Sequence, residues 1–323
     1  MIISALRARP RAALRVSRLA RSLALGLAAL SLPLAASTPA SATVHSPAYA
    51  ARSAQDPVSD AKRLATPNLA GANDWSCRPS AQHPRPLILV HGTIADGSVW
   101  AKTAPQYKKA GHCVFSLDYG KGGGVLGLFL GGTAPIANSA KQLRVFVDGV
   151  LAATGASQVD IVGHSQGGMM PRQYMKFEGG TPKVHTLVGL GPSNHGSQSP
   201  VVAGLLKDQP WLAALLNLLG TTVSDLTCPA CGEQTAGSAF LTKLNEGGDT
   251  LPGVSYTVIA TRYDLGITPY NGQYLRGPEV SNILLQDICP WNLATHATLD
   301  EDPLALRLAL NALDPEHAVK PVC

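Results

Sequence analysis

The sequence predicts an α/β protein, a three-layer α/β sandwich around a mainly parallel central sheet. Three observations predict it. Six short apolar runs suited to strands recur along the chain, with helical patterns between them. The first run is continuously apolar and the others are mainly so rather than strictly alternating, which suits strands covered on both faces, and helical crossovers between them make the sheet parallel. The residues able to do chemistry fall just after these runs, at the strand ends where such sheets bind ligands.

Residues 1–42 stand outside this fold. Arg7, Arg9, Arg11, Arg15, Arg18 and Arg21 form a basic start without acids, residues 23–36 are an apolar stretch broken by Pro33, and Ala40-Ser41-Ala42 offers small residues for cleavage. This is the pattern of a secretory signal peptide, and its apolar run is short for a membrane span. The mature protein is expected to be soluble, secreted and extracellular. Six arginines leave with the leader, so the formal charge of +5 becomes about −1. With no basic patch interleaved with aromatics, nucleic acid is not an expected partner. Residues 43–70, rich in Ala, Ser, Pro and Asp, read as a flexible N-terminal segment. The mature length of about 280 residues suits one large domain or two small ones. Residues 71–323 read as one domain, and a monomer is expected.

Residues 86–91 (Pro-Leu-Ile-Leu-Val-His) are the first strand and 113–118 (Cys-Val-Phe-Ser-Leu-Asp) the second. Over 138–154, Leu143, Val147, Val150 and Leu151 recur at helical spacing. Residues 159–163 are the third strand, followed by a helix over 169–177; further strands follow at 184–190, 254–260 and 280–288. Residues 303–313 close the chain as an apolar helix, with Asp300 and Asp302 at its start, where acids favour the N-terminus. Two apolar segments above the strand ends, 122–133 and 205–219, suit an apolar pocket, a mobile cover or a surface in transient contact with an apolar–water interface. For 212–219 an ordinary core helix is the alternative.

The most informative stretch is Asp160-Ile161-Val162-Gly163-His164-Ser165-Gln166-Gly167-Gly168, a strand leading through G-x-S-x-G into a helix. A serine flanked by glycines can occupy a turn too tight for bulkier neighbours, with its hydroxyl held out for a substrate. Such a hydroxyl becomes a nucleophile when a histidine takes its proton and a carboxylate fixes that histidine. In the α/β-hydrolase order, Ser is followed by Asp or Glu and then His. Asp264 directly follows the fifth strand. Its rivals fit less well: Asp249 precedes that strand, Asp300 and Asp302 resemble helix-start acids, and Asp287 lies further on. His296 lies in the loop before the last helix. His185 begins a strand, His317 is in the tail, and His195 follows a strand end but precedes Asp264. The negative charge of the reaction needs two donors. The backbone N–H of Gln166 is one, and Thr93 in His91-Gly92-Thr93, with its N–H and hydroxyl, is the other.

Cys77, Cys113, Cys228, Cys231, Cys289 and Cys323 all follow the leader, and in an oxidising compartment they read as three disulfides among fifteen pairings. Cys228-Pro229-Ala230-Cys231 reads as a local structural bridge, since no second C-x-x-C or His pair supports zinc. No metal and no cofactor are expected. Leu89-Val90-His91-Gly92-Thr93, Gly163 to Gly168, Gly191-Pro192-Ser193-Asn194-His195-Gly196, the Cys228–Cys231 pair and Tyr263-Asp264 with Thr268-Pro269-Tyr270 together resemble the secreted lipase/esterase family of actinobacteria, and more distantly the fungal lipase B type. The resemblance covers residue 71 to the C-terminus. It implies an α/β-hydrolase fold, a triad of Ser165, Asp264 and His296, and oxyanion donors Thr93 and Gln166. It also implies Cys77–Cys113 and Cys289–Cys323 bridges, and cofactor-free hydrolysis of acylglycerols or smaller esters. An acyltransferase on the same fold and a non-catalytic secreted binding protein are the alternatives.

Overall fold

The computed structural model describes residues 56–122, 130–198 and 228–323. The expected leader and the segment 205–219 lie outside the described residues, as does most of 122–133. Six strands form one sheet in the order β2-β1-β3-β4-β5-β6, with every neighbouring pair parallel. They are β1 (Leu87–Val90), β2 (Val114–Leu117), β3 (Val159–His164), β4 (Val184–Leu190), β5 (Ser255–Ala260) and β6 (Val280–Leu284). The described helices are α1 (Pro57–Leu64), α2 (Ala104–Lys109), α3 (Ile136–Thr154), α4 (Gln166–Phe177), α5 (Pro229–Glu233), α6 (Ala239–Asn245), α7 (Leu285–Ile288) and α8 (Pro303–Leu313).

The unbroken apolar character of β1 is explained by its burial, since all four of its residues are buried. Ile88 and Val90 pack with Phe115, Ile161 and residues of α3 and α4, such as Phe146 and Met170. Leu87 and Leu89 pack into a separate cluster with Val162, Val188, Ile259 and residues of α8 such as Leu304 and Leu308. Alternate side chains of one strand thus feed two cores on opposite faces of the sheet. The chain propagates from β1 to β2 on one side and then places β3 on the other side of β1. A crevice opens over the carboxyl ends at such a switch point, and the loops bearing Thr93 and Ser165 both leave from it.

Two details differ from expectation. The flexible reading of 43–70 does not hold for its described part. Asp56 caps α1, its carboxylate accepting the Ser59 N–H at 3.0 Å, and Pro57 starts the helix. Ala61 is fully buried on α3. The contact depends on Gly149, where a Cβ would lie 2.2 Å from the Ala61 Cβ and 2.4 Å from the Pro57 carbonyl oxygen. After α1 the chain follows the outer edge of β2, the Thr66 N–H donating to the Ser116 carbonyl at 2.9 Å and Asn73 bridging the same two residues. The second difference is at the end of β6, where the backbone turns into α7. A short apolar run reads equally as strand or buried helix. The helical turn buries Gln286, whose amide reaches the Thr261 hydroxyl at 3.0 Å and the Asn292 carbonyl at 2.9 Å, joining the loops after β5 and before α8.

Three disulfides are present: Cys77–Cys113, Cys228–Cys231 and Cys289–Cys323. The first fastens the segment before β1 to the start of β2. The third ties the C-terminus to the turn that leads toward His296.

Candidate active site

Ser165 sits between β3 and α4 with φ +55° and ψ −123°, a conformation seldom adopted by a residue with a side chain. Its glycine neighbours make the turn possible by having no Cβ. One at Gly163 would fall 1.9 Å from the Gly167 carbonyl oxygen, and one at Gly167 would fall 2.2 Å from the Val90 carbonyl oxygen. The turn is held by the Ser165 N–H donating to the Leu190 carbonyl at 2.9 Å. Gly92, after β1, admits the serine from the other side, since a Cβ there would lie 3.0 Å from the Ser165 Cβ.

The loops after β5 and before α8 bring Asp264 and His296 to this serine. His296 Nε2 lies 3.0 Å from Ser165 Oγ, and His296 Nδ1 lies 2.7 Å from Asp264 Oδ2. Asp264 is almost fully buried, and further donors converge on it. The N–H groups of Gly266 and Ile267 donate to Oδ1 at 2.8 and 2.7 Å, and Gln273 Nε2 donates to Oδ2 at 2.9 Å. A carboxylate only accepts, so Nδ1 of His296 carries the hydrogen and Nε2 presents its lone pair to the serine hydroxyl. His164 braces the ring from below. Burial first, and the neighbouring His296 second, push its pKa down to about 3, so it is neutral. Its Nε2–H donates to the His296 carbonyl at 2.8 Å, and the two rings lie 4.8 Å apart.

On the other side of Ser165, Thr93 and Gln166 meet. Gln166 Nε2 donates to Thr93 Oγ1 at 2.9 Å and to the Gly132 carbonyl at 2.8 Å. The backbone N–H groups of Thr93 and Gln166 meet no acceptor among the described residues. The loop that carries Thr93 is stiffened by His91, a fully buried ring pushed down to about 4 by that burial and stacked on Tyr119. Its Nε2 accepts the Tyr119 N–H at 3.3 Å, and its Nδ1 lies 2.8 Å from the Gly92 carbonyl.

The rival residues lie elsewhere. His195 Nε2 pairs with Asp249 Oδ2 at 3.2 Å, beside the buried Arg172. Asp302 caps α8, donating no group to the site but accepting the Ala305 N–H at 2.9 Å. Asp287 is exposed, and Asp300 is buried with its carboxyl pushed up to about 6 by that burial. Two participants escaped the sequence reading, Gln273 and Gln234. Gln273 is fully buried against Asp264, and its backbone carbonyl accepts the Asn194 amide N–H at 2.7 Å. Gln234 donates to Thr93 Oγ1 at 2.7 Å. Nothing in the spacing of the Gly-Pro-Ser-Asn stretch after β4 shows that Ser193 holds the Gln234 side-chain amide and Asn194 the backbone at Gln273.

The family profile described as Lipase (class 2) matches residues 84–306, more than half of the chain. The chain belongs to the class 2 lipase family. A triacylglycerol lipase of Pseudarthrobacter phenanthrenivorans is 37% identical over 92 residues, covering 26% of this chain and 28% of that protein. One of Burkholderia plantarii is 37% identical over 92 residues, covering 26% of this chain and 25% of its own length. The chain thus spans about a quarter of the length of these relatives. Among solved structures, Aspergillus fumigatus lipase B superposes with a TM-score of 0.58 at 19% identity, covering 80% of this chain and 56% of that one. The mature form of a Bacillus licheniformis lipase gives 0.50 at 18% identity, covering 73% and 94%. This class 2 lipase-family chain therefore has the α/β-hydrolase fold, and the family resemblance read from its motifs is borne out.

Proposed function

We propose that the chain is a secreted carboxylic-ester hydrolase, a lipase or esterase, that works through an acyl-enzyme on Ser165. The observation that carries this reading is the continuous hydrogen-bonded line from Ser165 Oγ through His296 to the buried Asp264, with spacings of 3.0 and 2.7 Å. His296 Nε2 takes the hydroxyl proton as Oγ attacks the ester carbonyl, and Asp264 stabilises the imidazolium that results. The N–H groups of Thr93 and Gln166 receive the charge on the carbonyl oxygen. His296 then protonates the departing alcohol. Water, deprotonated by the same ring, releases the acid and restores the serine. Triacylglycerol lipases among the relatives support acylglycerols or smaller carboxylic esters as substrates. The arginine-led N-terminus and three disulfides support export. Exposed Leu265, Trp291 and Leu293, on the loops that carry Asp264 and His296, support transient contact with a lipid–water interface.

A series of p-nitrophenyl esters of rising chain length, taken across their solubility limits, tests this reading. Wild type is expected to turn over the short esters and to gain rate when an ester passes into emulsion. Ser165→Ala is expected to lose activity by about 10⁴-fold or more while melting normally. Turnover that survives the substitution overturns the assignment, and a smooth rate across the solubility limit overturns the interfacial contact alone.

A further inference from the structure

We propose that Gln234 is a positioning residue that commits the Thr93 hydroxyl to donating a hydrogen bond to the oxyanion. The inference deepens the ester-hydrolase reading and rests on it. A threonine hydroxyl has one hydrogen and two acceptor lone pairs. At Thr93 both acceptor positions are filled by amide hydrogens, from Gln234 Nε2 at 2.7 Å and Gln166 Nε2 at 2.9 Å. The hydroxyl hydrogen is the one function left to it, and among the described residues no acceptor meets that hydrogen.

Neither amide can be reversed. The second N–H of Gln234 donates to the Ala230 carbonyl at 3.0 Å, and its Oε1 accepts the Ser193 hydroxyl at 2.8 Å. Turning the amide over would set its oxygen against the Ala230 carbonyl oxygen. The second N–H of Gln166 donates to the Gly132 carbonyl at 2.8 Å, with the same consequence. The backbone at Gln234 is fixed as well. It ends α5, whose first turn is closed by the Cys228–Cys231 disulfide. Its N–H donates to the Ala230 carbonyl at 3.1 Å and its carbonyl accepts the Ser197 N–H at 3.0 Å. The groups that hold Thr93 are buried, Ser193 and Gln166 completely and Gln234 at 9% exposure, while Thr93 itself is half-buried.

With Gln166 alone, one lone pair of Thr93 Oγ1 would stay open. The hydroxyl would then be able to accept from water or from the substrate alcohol, and its hydrogen would not be held ready. Gln234 closes that option. A donor aimed in advance at developing charge acts on the transition state more than on bound ester, so its loss falls on kcat rather than KM.

The test is a double-mutant cycle on a short p-nitrophenyl ester, with circular-dichroism melting of each variant. Thr93→Val is expected to lower kcat about a hundredfold, as for loss of one oxyanion donor. Gln234→Leu is expected to lower it about tenfold, on the scale of a single hydrogen bond, with KM held within about twofold. Because Gln234 acts through the hydroxyl, the double variant is expected to match Thr93→Val alone. Losses that multiply, giving about a thousandfold, overturn the proposal. Gln234→Glu keeps the size of the side chain if Gln234→Leu fails to fold. Its ionised oxygen captures the Thr93 hydrogen, so its kcat relative to wild type at the same pH is expected to rise as acid protonates it. A ratio that does not change with pH overturns the proposal. Wild type without Ser165-dependent turnover removes the hydrolase reading and this proposal together, whereas Ser165-dependent turnover with multiplicative losses removes this proposal alone.

Discussion

Gly266 shows how closely the His296 ring, the proposed base, is confined. A Cβ at this position would lie 2.7 Å from Cδ2 and Cγ of the His296 ring. Gly266→Ala must therefore push the imidazole away from Ser165 or from Asp264. A displacement of about 1 Å in a catalytic group costs on the order of 10²-fold in rate. We expect kcat to fall by about that factor on a short ester, with the thermal midpoint within a few degrees of wild type; unchanged kcat would show that the ring has room the structure denies it. The contrast between visible and hidden residues is also plainest at this scale. Ser165, Asp264 and His296 could be picked out because each follows a strand or precedes the last helix in a recognisable chain order, and because a serine between glycines is chemically conspicuous. Gln273 and Gln234 were not. Each is an ordinary amide without a spacing rule, and its meaning comes from burial beside Asp264 or Thr93, which only the folded chain reveals.

Among the elements, α1 is the one whose expected and observed states differ most. Its sequence, Pro-Val-Ser-Asp-Ala-Lys-Arg-Leu, is short and largely polar, and its signal was diluted by the Ala/Ser/Pro-rich stretch before it. What orders it is Ala61 packed over Gly149 on α3, a contact between residues 88 positions apart that no local pattern announces. Gly149→Ala inserts a methyl group where the Ala61 Cβ and the Pro57 carbonyl already stand. Overpacking of this kind costs about 1–3 kcal/mol. The thermal midpoint is expected to fall by about 2–6 °C for a domain of this size, with kcat on a short ester close to wild type because α1 lies away from Ser165. A variant as stable as wild type, or one gaining stability from the helix propensity of Ala, would show that α1 does not seat on Gly149 as described. The strands were far easier to anticipate. β1 is a continuous apolar run and β2 to β5 are mainly apolar, and their burial on two faces leaves little choice of architecture. The end of β6 was ambiguous for the same reason, because Ile283-Leu284-Leu285 is apolar in either conformation.

For the whole molecule, acid is the condition to which the fold is most exposed. His91 and His112 are pushed down to about 4 and His164 to about 3, in each case mainly by burial. The unfolded chain protonates all three near 6.5. Between pH 6.5 and about 4 it therefore binds protons that the native state does not, and stability falls as the pH drops. Asp300 acts in the opposite sense, since burial raises it from 3.8 to about 6 and the native state binds its proton first. Glu233, also raised by burial, acts in the same sense as Asp300; three histidines against two carboxyls still leave a net loss, about 1.4 kcal/mol per pH unit for each uncompensated proton. The thermal midpoint is expected to decline steadily from pH 7 to pH 4.5, and a flat or rising midpoint would mean these rings are hydrated or partnered in the native state. The same compact core holds the three loops that bring alcohol, imidazole and carboxylate into line, and on that alignment the functional reading depends. Its most direct test is intact-protein mass spectrometry after exposure to a fluorophosphonate ester, followed by peptide mapping. The account predicts a single adduct on Ser165, absent from Ser165→Ala and formed much more slowly in His296→Ala. No adduct, or one formed equally fast without the histidine, would contradict it.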